Sequence, residues 1–223
     1  MTVKTAPALA GDWLKHESDP RYTRERIVLA TTGSERTIAS GTVLGRIATA
    51  TPAASAAAPS NTGNGALGTV TVGAGAAVGA HTLEIVTAAA NGGQFVLRNP
   101  AGLLVGMGRV GVAFQGGGLA FTLADGGTDF AVGDAFTITV AAGSGKWREV
   151  APAGTDGTAR PAGILLDAAL VPAAGDTVGV ALVRGPALVR RDGLTWPDSF
   201  DAAAIAAGEA SLAALGIVVR AGA

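Results

Sequence analysis

The sequence predicts a mainly β protein with a short C-terminal helix: a small β-rich base domain interrupted by an inserted β-sandwich-like domain. Three observations predict it. Apolar and polar residues alternate with a period of two, as in Phe121-Thr122-Leu123 and Phe136-Thr137-Ile138-Thr139-Val140, which marks strands with one buried face. Glycine is abundant, 34 of 223 residues, and recurs in turn signals that bound short strands. Charge is unevenly spread: between about Thr62 and Ala142 only Glu84, Arg98, Arg109, Asp125, Asp129 and Asp134 carry it. That stretch also holds Phe95, Phe114, Phe121, Phe130 and Phe136, whereas Trp13, Trp147 and Trp196 all lie outside it. Different aromatic stock in the two regions implies two cores.

The elements follow in order. Residues 1–25 are polar, with mixed charge and two prolines, and read as an extended or mobile arm anchored by Trp13, Leu14 and Tyr22. Pro20 biases Asp19 away from helix. Strands are expected at Arg26–Ala30 and Val43–Ala48, separated by a turn at Thr32–Ser34. Residues 49–60 (TATPAASAAAPS) have linker composition, with too little side-chain volume to pack a core. The insert, residues 61–142, is expected to hold six or seven short strands. Its turns fall at Asn91-Gly92-Gly93, Asn99-Pro100-Ala101-Gly102, Gly116-Gly117-Gly118 and Asp125-Gly126-Gly127. The run Ala142-Gly143-Ser144-Gly145 leads out of it. The base domain, residues 26–60 and 143–223, resumes with strands near Trp147–Val150, Gly163–Leu166, Val178–Val183 and Ala187–Arg190. A helix is expected over Ala202–Leu215, capped by Asp198 or Ser199, weakened by Gly208 and ended by Gly216. A last strand, Ile217–Arg220, follows.

Composition narrows the function classes. The formal net charge is −1, which offers no basic field for a phosphate backbone, so direct nucleic-acid binding is not expected. There is no cysteine, hence no disulfide, thiolate metal site or Cys nucleophile. No secretory h-region opens the chain and no run of 18 apolar residues crosses a membrane.

Apparent chemical motifs lose their context on inspection. Gly106-Met107-Gly108-Arg109-Val110-Gly111 matches a dinucleotide fingerprint in letters, but a strand pattern follows where a helix must hold the pyrophosphate. Gly143-Ser144-Gly145-Lys146 lacks the upstream glycine of a phosphate loop, and Trp147 stands where a magnesium-binding hydroxyl is needed. Asp125, Asp129 and Asp134 do not have the spacing of a calcium loop and read as turn residues. His16 and His81 lie in different regions, and no nucleophile–base cluster or metal set is visible. The sequence therefore predicts neither an enzyme nor a cofactor. Arg190-Arg191 is a short basic step that suits a solvated loop or a subunit contact.

The flanks carry an identity that the chemistry does not. Asp12-Trp13-Leu14-Lys15-His16-Glu17 with Asp19-Pro20-Arg21-Tyr22-Thr23-Arg24-Glu25 resembles the N-terminal arm of lambda-type bacteriophage head decoration proteins. Further matching pieces continue in order: Ser40–Gly45, Asp156-Gly157-Thr158 leading into Pro161–Leu166, Val183–Ala187, and Leu215–Arg220. The smallest members of that family run directly from the strand near Gly45 to the strand near Trp147, so the insert is an addition.

The resemblance implies a structural virion protein. Such proteins bind the outside of the expanded head as trimers at threefold and quasi-threefold positions, contact the major capsid protein through the N-terminal arm, and resist the pressure of packaged DNA. They act on the outer surface of the virion and meet it in the host cytoplasm during assembly. Carried onto this chain, the arm contact falls on Trp13, Leu14, Lys15, Pro20, Arg21 and Tyr22. Candidates for the trimer contact are Arg184, Gly185, Pro186, Trp196 and Pro197, with core packing as the competing role for Trp196. The insert is expected to project from the shell. Two other readings remain: a virion adhesin whose insert binds a host glycan or envelope component, and a tail or spike component that trimerises without a shell. An exposed aromatic cluster on the insert would favour the adhesin.

Overall fold

The computed structural model describes residues 8–73 and 75–222; residues 1–7 of the expected arm lie outside them. Strand accounts for 45% and helix for 11%, so the protein is mainly β. The chain forms two compact units. The base unit takes the chain up to Ile47, Gly145–Gly154 and Thr158 onward; the inserted unit takes Ala48–Ser144 and Thr155–Gly157.

The base unit begins with a one-turn helix α1 (Ala10–Trp13), strand β1 (Leu14–Glu17), a second one-turn helix α2 (Pro20–Thr23), then β2 (Arg24–Leu29), β3 (Arg36–Ile38) and β4 (Val43–Arg46). In the inserted unit follow β5 (Ala54–Ala57), β6 (Ala66–Leu67), β7 (Thr71–Val72), β8 (Gly79–Ala89), β9 (Gly92–Arg98), β10 (Leu104–Arg109), β11 (Ala113–Gly116), β12 (Leu119–Ala124) and β13 (Ala135–Val140). The base then resumes with β14 (Trp147–Glu149), β15 (Pro161–Leu165), β16 (Ala169–Val171), β17 (Thr177–Leu182), β18 (Ala187–Arg190), α3 (Ala202–Ala214) and β19 (Ile217–Arg220).

In the base, β14-β2-β17-β15-β4 close into a small barrel, which leaves its wall without open edges. The interior holds Ile27, Leu29, Leu44, Trp147, Leu165 and Ala181. A second core lies against the outer side of β4 and β15, where Val43 and Ile164 meet Trp13, Val189, Phe200, Leu212 and Ile217. β4 and β15 are thus buried on both faces, which explains why Gly163–Leu166 reads as an apolar run without alternation. A three-stranded sheet, β1-β18-β19, closes this second core. Its β18–β19 pair is parallel and its β1–β18 pair antiparallel.

Helix α3 is where the sequence places it, but the cap differs. The Asp201 carboxylate, not Asp198 or Ser199, accepts the Ala204 N–H at 2.8 Å. Gly208 in mid-helix has a packing reason: a methyl group there would sit 2.5 Å from the Trp196 ring. The helix gives up propensity at that point to let an indole lie on its backbone.

The inserted unit packs a five-stranded sheet, β10-β9-β8-β13-β5, against a shorter sheet of β11, β12, β6 and β7. Their shared core holds all five phenylalanines of the region, with Phe95–Phe114 and Phe114–Phe121 centroids 5.4 and 5.0 Å apart. Two of the three glycines of the nucleotide-like motif, Gly106 and Gly108, lie against these rings: a methyl group at Gly106 would meet Phe114 at 2.5 Å. That stretch is strand β10 followed by a turn, as the strand pattern predicts.

Two expectations are corrected. The stretch expected as linker contributes β5, paired with β13 from Phe136↔Ala57 to Thr139↔Ala54. β5 is an edge strand with all four residues exposed, so small side chains suffice: backbone hydrogen bonds hold it and no core volume is asked of it. The second correction concerns the arm. From Ala10 onward its residues belong to the base, because Trp13 is fully buried and β1 pairs with β18. A polar composition concealed one large anchor that is placed in a core rather than held ready for a partner.

Candidate interaction surfaces

The expected arm residues separate into two groups. Trp13 has 0% exposure, and its indole N–H donates to Ser40 Oγ at 2.9 Å; Ser40 in turn donates to the Leu166 carbonyl. Leu14 packs partly buried against the same core. Lys15, Pro20, Arg21 and Tyr22 are exposed. The chain reverses between β1 and β2 through α2, where the Asp19 carboxylate accepts the Arg21 N–H at 2.9 Å and Pro20 supplies the first helical position. This turn is tied down from inside. Thr23 donates to Glu17 Oε2 at 2.7 Å, and Arg24 forms a close ion pair with Glu17. The Arg24 guanidinium beside Glu17 holds its carboxyl below the usual range, against the opposing effect of burial, with the Thr23 hydroxyl helping.

Tyr22 is brought together with a residue from the other expected surface. The Arg184 guanidinium lies 5.2 Å over the Tyr22 ring, donates to the Tyr22 carbonyl at 2.7 Å and pairs with Glu25. The cation–π contact and the ion pair fix an otherwise mobile side chain on the surface. Glu25 escapes sequence reasoning because its partner is 159 residues away. Gly185 has a structural role: its N–H donates to the Leu215 carbonyl at 2.7 Å, and a side chain there would collide with the Gly216 backbone. Pro186 is exposed, and its carbonyl accepts the Ser18 N–H at 3.2 Å. Trp196 and Pro197 are half-buried. The Trp196 ring packs on Gly208 and lies 5.3 Å from Phe200, so core packing accounts for most of its surface. Its buried indole N–H meets no acceptor among the described residues.

Arg191 forms a bidentate pair with Glu209 of α3, both bonds 2.6 Å. Arg190, its neighbour, lies in β18 opposite Arg220 of β19.

In the inserted unit the aromatic residues are all buried, none more than 7% exposed, so they offer no stacking platform to a sugar. Asp134, considered above for calcium, is a structural anchor. Its carboxylate accepts N–H groups of Thr62, Gly63 and Ala131 at 2.8, 2.8 and 2.9 Å. Burial would raise its pKa, and these three donors hold it below the usual carboxylate range. Asp129 accepts the Asn91 N–H at 2.8 Å. Among the described residues no group of three or more His, Cys, Asp or Glu side chains is placed to hold a metal ion. No helix among them is long and apolar enough to cross a membrane.

A family model for the bacteriophage lambda head decoration protein D matches residues 3–217, through both flanks and the insert. The chain belongs to this family. It is a structural protein of the phage capsid. A search of curated proteins finds no match. Among solved structures, FlgL of Xanthomonas campestris aligns at 23% identity over 48% of this chain and 34% of its own length, with a TM-score of 0.33. The flagellar hook junction protein FlgK from Burkholderia pseudomallei aligns at 22% identity over 62% of this chain and 23% of its own, with a TM-score of 0.31. The decoration protein thus spans about a third of FlgL and under a quarter of FlgK, and likenesses this slight carry no argument about it.

Proposed function

We propose that this decoration protein binds the outside of the expanded head as a homotrimer at threefold and quasi-threefold positions, contacts the major capsid protein, and stabilises the shell against packaged-DNA pressure. The family match over residues 3–217 carries the reading. The role is structural, without catalysis or cofactor. The protein joins the shell in the host cytoplasm and remains on the outer surface of the virion.

The N-terminal segment supplies the shell contact, with Lys15, Pro20, Arg21 and Tyr22 as its exposed members. Trp13 and Leu14 hold the root of that segment in the base. Arg184, Gly185 and Pro186, with the half-buried Trp196 and Pro197, are assigned to the threefold contact; cyclic symmetry would set them against a different surface of the neighbouring copy. Three weak contacts on one trimer gain avidity of about 10²–10⁴-fold where the geometry lets them act together. Binding confined to the expanded shell then needs only that the docking edges appear on expansion. The insert is not needed for attachment.

The test is co-sedimentation with expanded and unexpanded shells of the cognate phage, using the full chain and the triple variant Lys15→Ala, Arg21→Ala, Tyr22→Ala, whose side chains are exposed. Substitution is used because removing residues 1–25 would take Trp13 out of the core. Saturable binding to expanded shells alone, lost in the variant, is the expected result. Binding to neither shell refutes the function; binding unchanged in the variant refutes the placement of the contact.

A further inference from the structure

The outer face of the β1-β18-β19 sheet is open in part: His16 and Val218 are exposed, Leu188 and Arg190 half-buried. Its inner face supplies Ala187, Val189 and Ile217 to the core. On the outer face, His16, Leu188 and Val218 form one row across the three strands. Val218 is 43% exposed. In the next row Arg190 and Arg220 stand side by side in register. Like charges at directly opposed positions of a ladder repel. A nearby carboxylate would relieve the repulsion, yet among the described residues neither arginine has an ion-pair partner. Glu209 of α3 is held by Arg191. Arg190 Nε is shielded from water and meets no acceptor among the described residues, so the N–H groups that Arg190 can offer a partner are those of its terminal nitrogens.

We propose that Arg190 and Arg220 form a receptor for a carboxylate-bearing segment of the capsid shell, docked on this sheet face with Leu188 and Val218 as its apolar floor. The inference rests on the function proposed above and adds a second point of shell contact. Charge complementarity selects the partner's chemistry: two arginines in register on one sheet face favour carboxylate groups, with which a guanidinium forms its strongest hydrogen bonds. Continuity selects the shell over another copy of the chain. β1, at one edge of this sheet, is the strand through which the N-terminal segment enters the base, so a shell bound by that segment lies beside this face.

The experiment compares the full chain with the double variant Arg190→Gln, Arg220→Gln in co-sedimentation with expanded shells, at about 50 and about 300 mM salt. The expected result is a loss of apparent affinity of about tenfold or more at low salt, with a flatter salt dependence. The thermal midpoint of the unbound double variant should stay equal or rise, because a repulsion is removed; a fall would show that the arginines serve the fold and overturn the proposal. Wild-type affinity and salt dependence in the double variant would overturn it as well. So would intact shell binding with lost self-association in analytical ultracentrifugation, which would hand the site to a second copy. A wild-type chain that binds no shell removes the proposed function itself; a binding wild type with an unaffected variant removes this site alone.

Discussion

Replacing Trp13 by alanine should unfold the base unit before it affects anything else. The side chain is fully buried and hydrogen-bonded to Ser40, in a core that also holds Val43, Ile164 and Leu212. Truncating a buried tryptophan costs about 3–5 kcal/mol from lost transfer energy and the cavity left behind. For a unit of roughly 120 residues, the unfolding entropy near the midpoint is about 0.25 kcal/mol per kelvin, so the midpoint should fall by about 12–20 °C. Trp13→Phe keeps most of the volume and loses the indole donor, and should cost about 1–2 kcal/mol. The assay is intrinsic fluorescence during thermal unfolding. All tryptophans lie outside residues 48–144, so the signal follows the base unit alone, and Trp147 and Trp196 remain as reporters in the variant. An unchanged midpoint together with weakened shell binding would show that Trp13 is a docking anchor after all and refute its placement in the core.

Three further outcomes follow from the inserted unit. Asp134→Ala strips the acceptor from three backbone N–H groups and should destabilise the insert by about 2 kcal/mol or more, measured by amide hydrogen exchange in β8 and β13. His81 is fully buried on the core face of β8 beside Leu83 and Ile85, and burial holds its pKa below the ordinary 6.5. The folded pKa is lowered, so the unfolded chain binds the proton first: stability is complete above about pH 6.5 and declines as pH falls through the folded value. His81→Leu should abolish that dependence, and an insert whose exchange protection is equal at about pH 7.5 and about pH 5 in the wild type would contradict it. Excising residues 49–143 and joining the ends should leave a folded base that still sediments with shells, whereas removal of 62–142 alone would strand β5 without β13. Loss of base folding in the first excision would show that the base depends on the insert.

The base strands and the inserted sandwich were legible because alternation and turn residues are local signals. Val43, Gly163–Leu166 and Phe136–Val140 could be placed from their neighbours alone. What could not be read depends on distant partners. Trp13 sits in a polar stretch, and its core is completed by Ser40, Leu166 and Leu212, none within reach of a sequence window. Ala54–Ala57 carry no volume that would betray a strand; only β13 makes them one. The same limit applies to the candidate surfaces. Tyr22 and Arg184 were read as members of two different surfaces and Glu25 of neither, and folding brings them to one spot. Arg190 stood out as half of a basic doublet, but its meaningful neighbour is Arg220 across the ladder, not Arg191 beside it.

The place of the insertion has a physical reason. β4 and β14 are antiparallel neighbours in the barrel wall, with Arg46 opposite Trp147, and the Ile47 N–H donates to the Lys146 carbonyl at 2.9 Å. The connection is therefore a hairpin whose ends are held together by the barrel. The inserted unit brings its own ends together too: the Gly143 N–H donates to the Ala48 carbonyl at 3.0 Å, and Thr49 and Ala142 form a bridge. A loop of any length between fixed ends costs closure entropy that grows only as the logarithm of its length, and a folded insert with adjoining ends need not strain the strands it joins. The barrel keeps its register whether the turn is short or carries a whole sandwich. The barrel can thus carry a folded unit at this turn without involving the second core, which is built from Trp13, β18, α3 and β19. By the same argument, other β units should be accepted at this turn if their ends lie as close together, and units with distant ends should lower the stability of the β4–β14 pair.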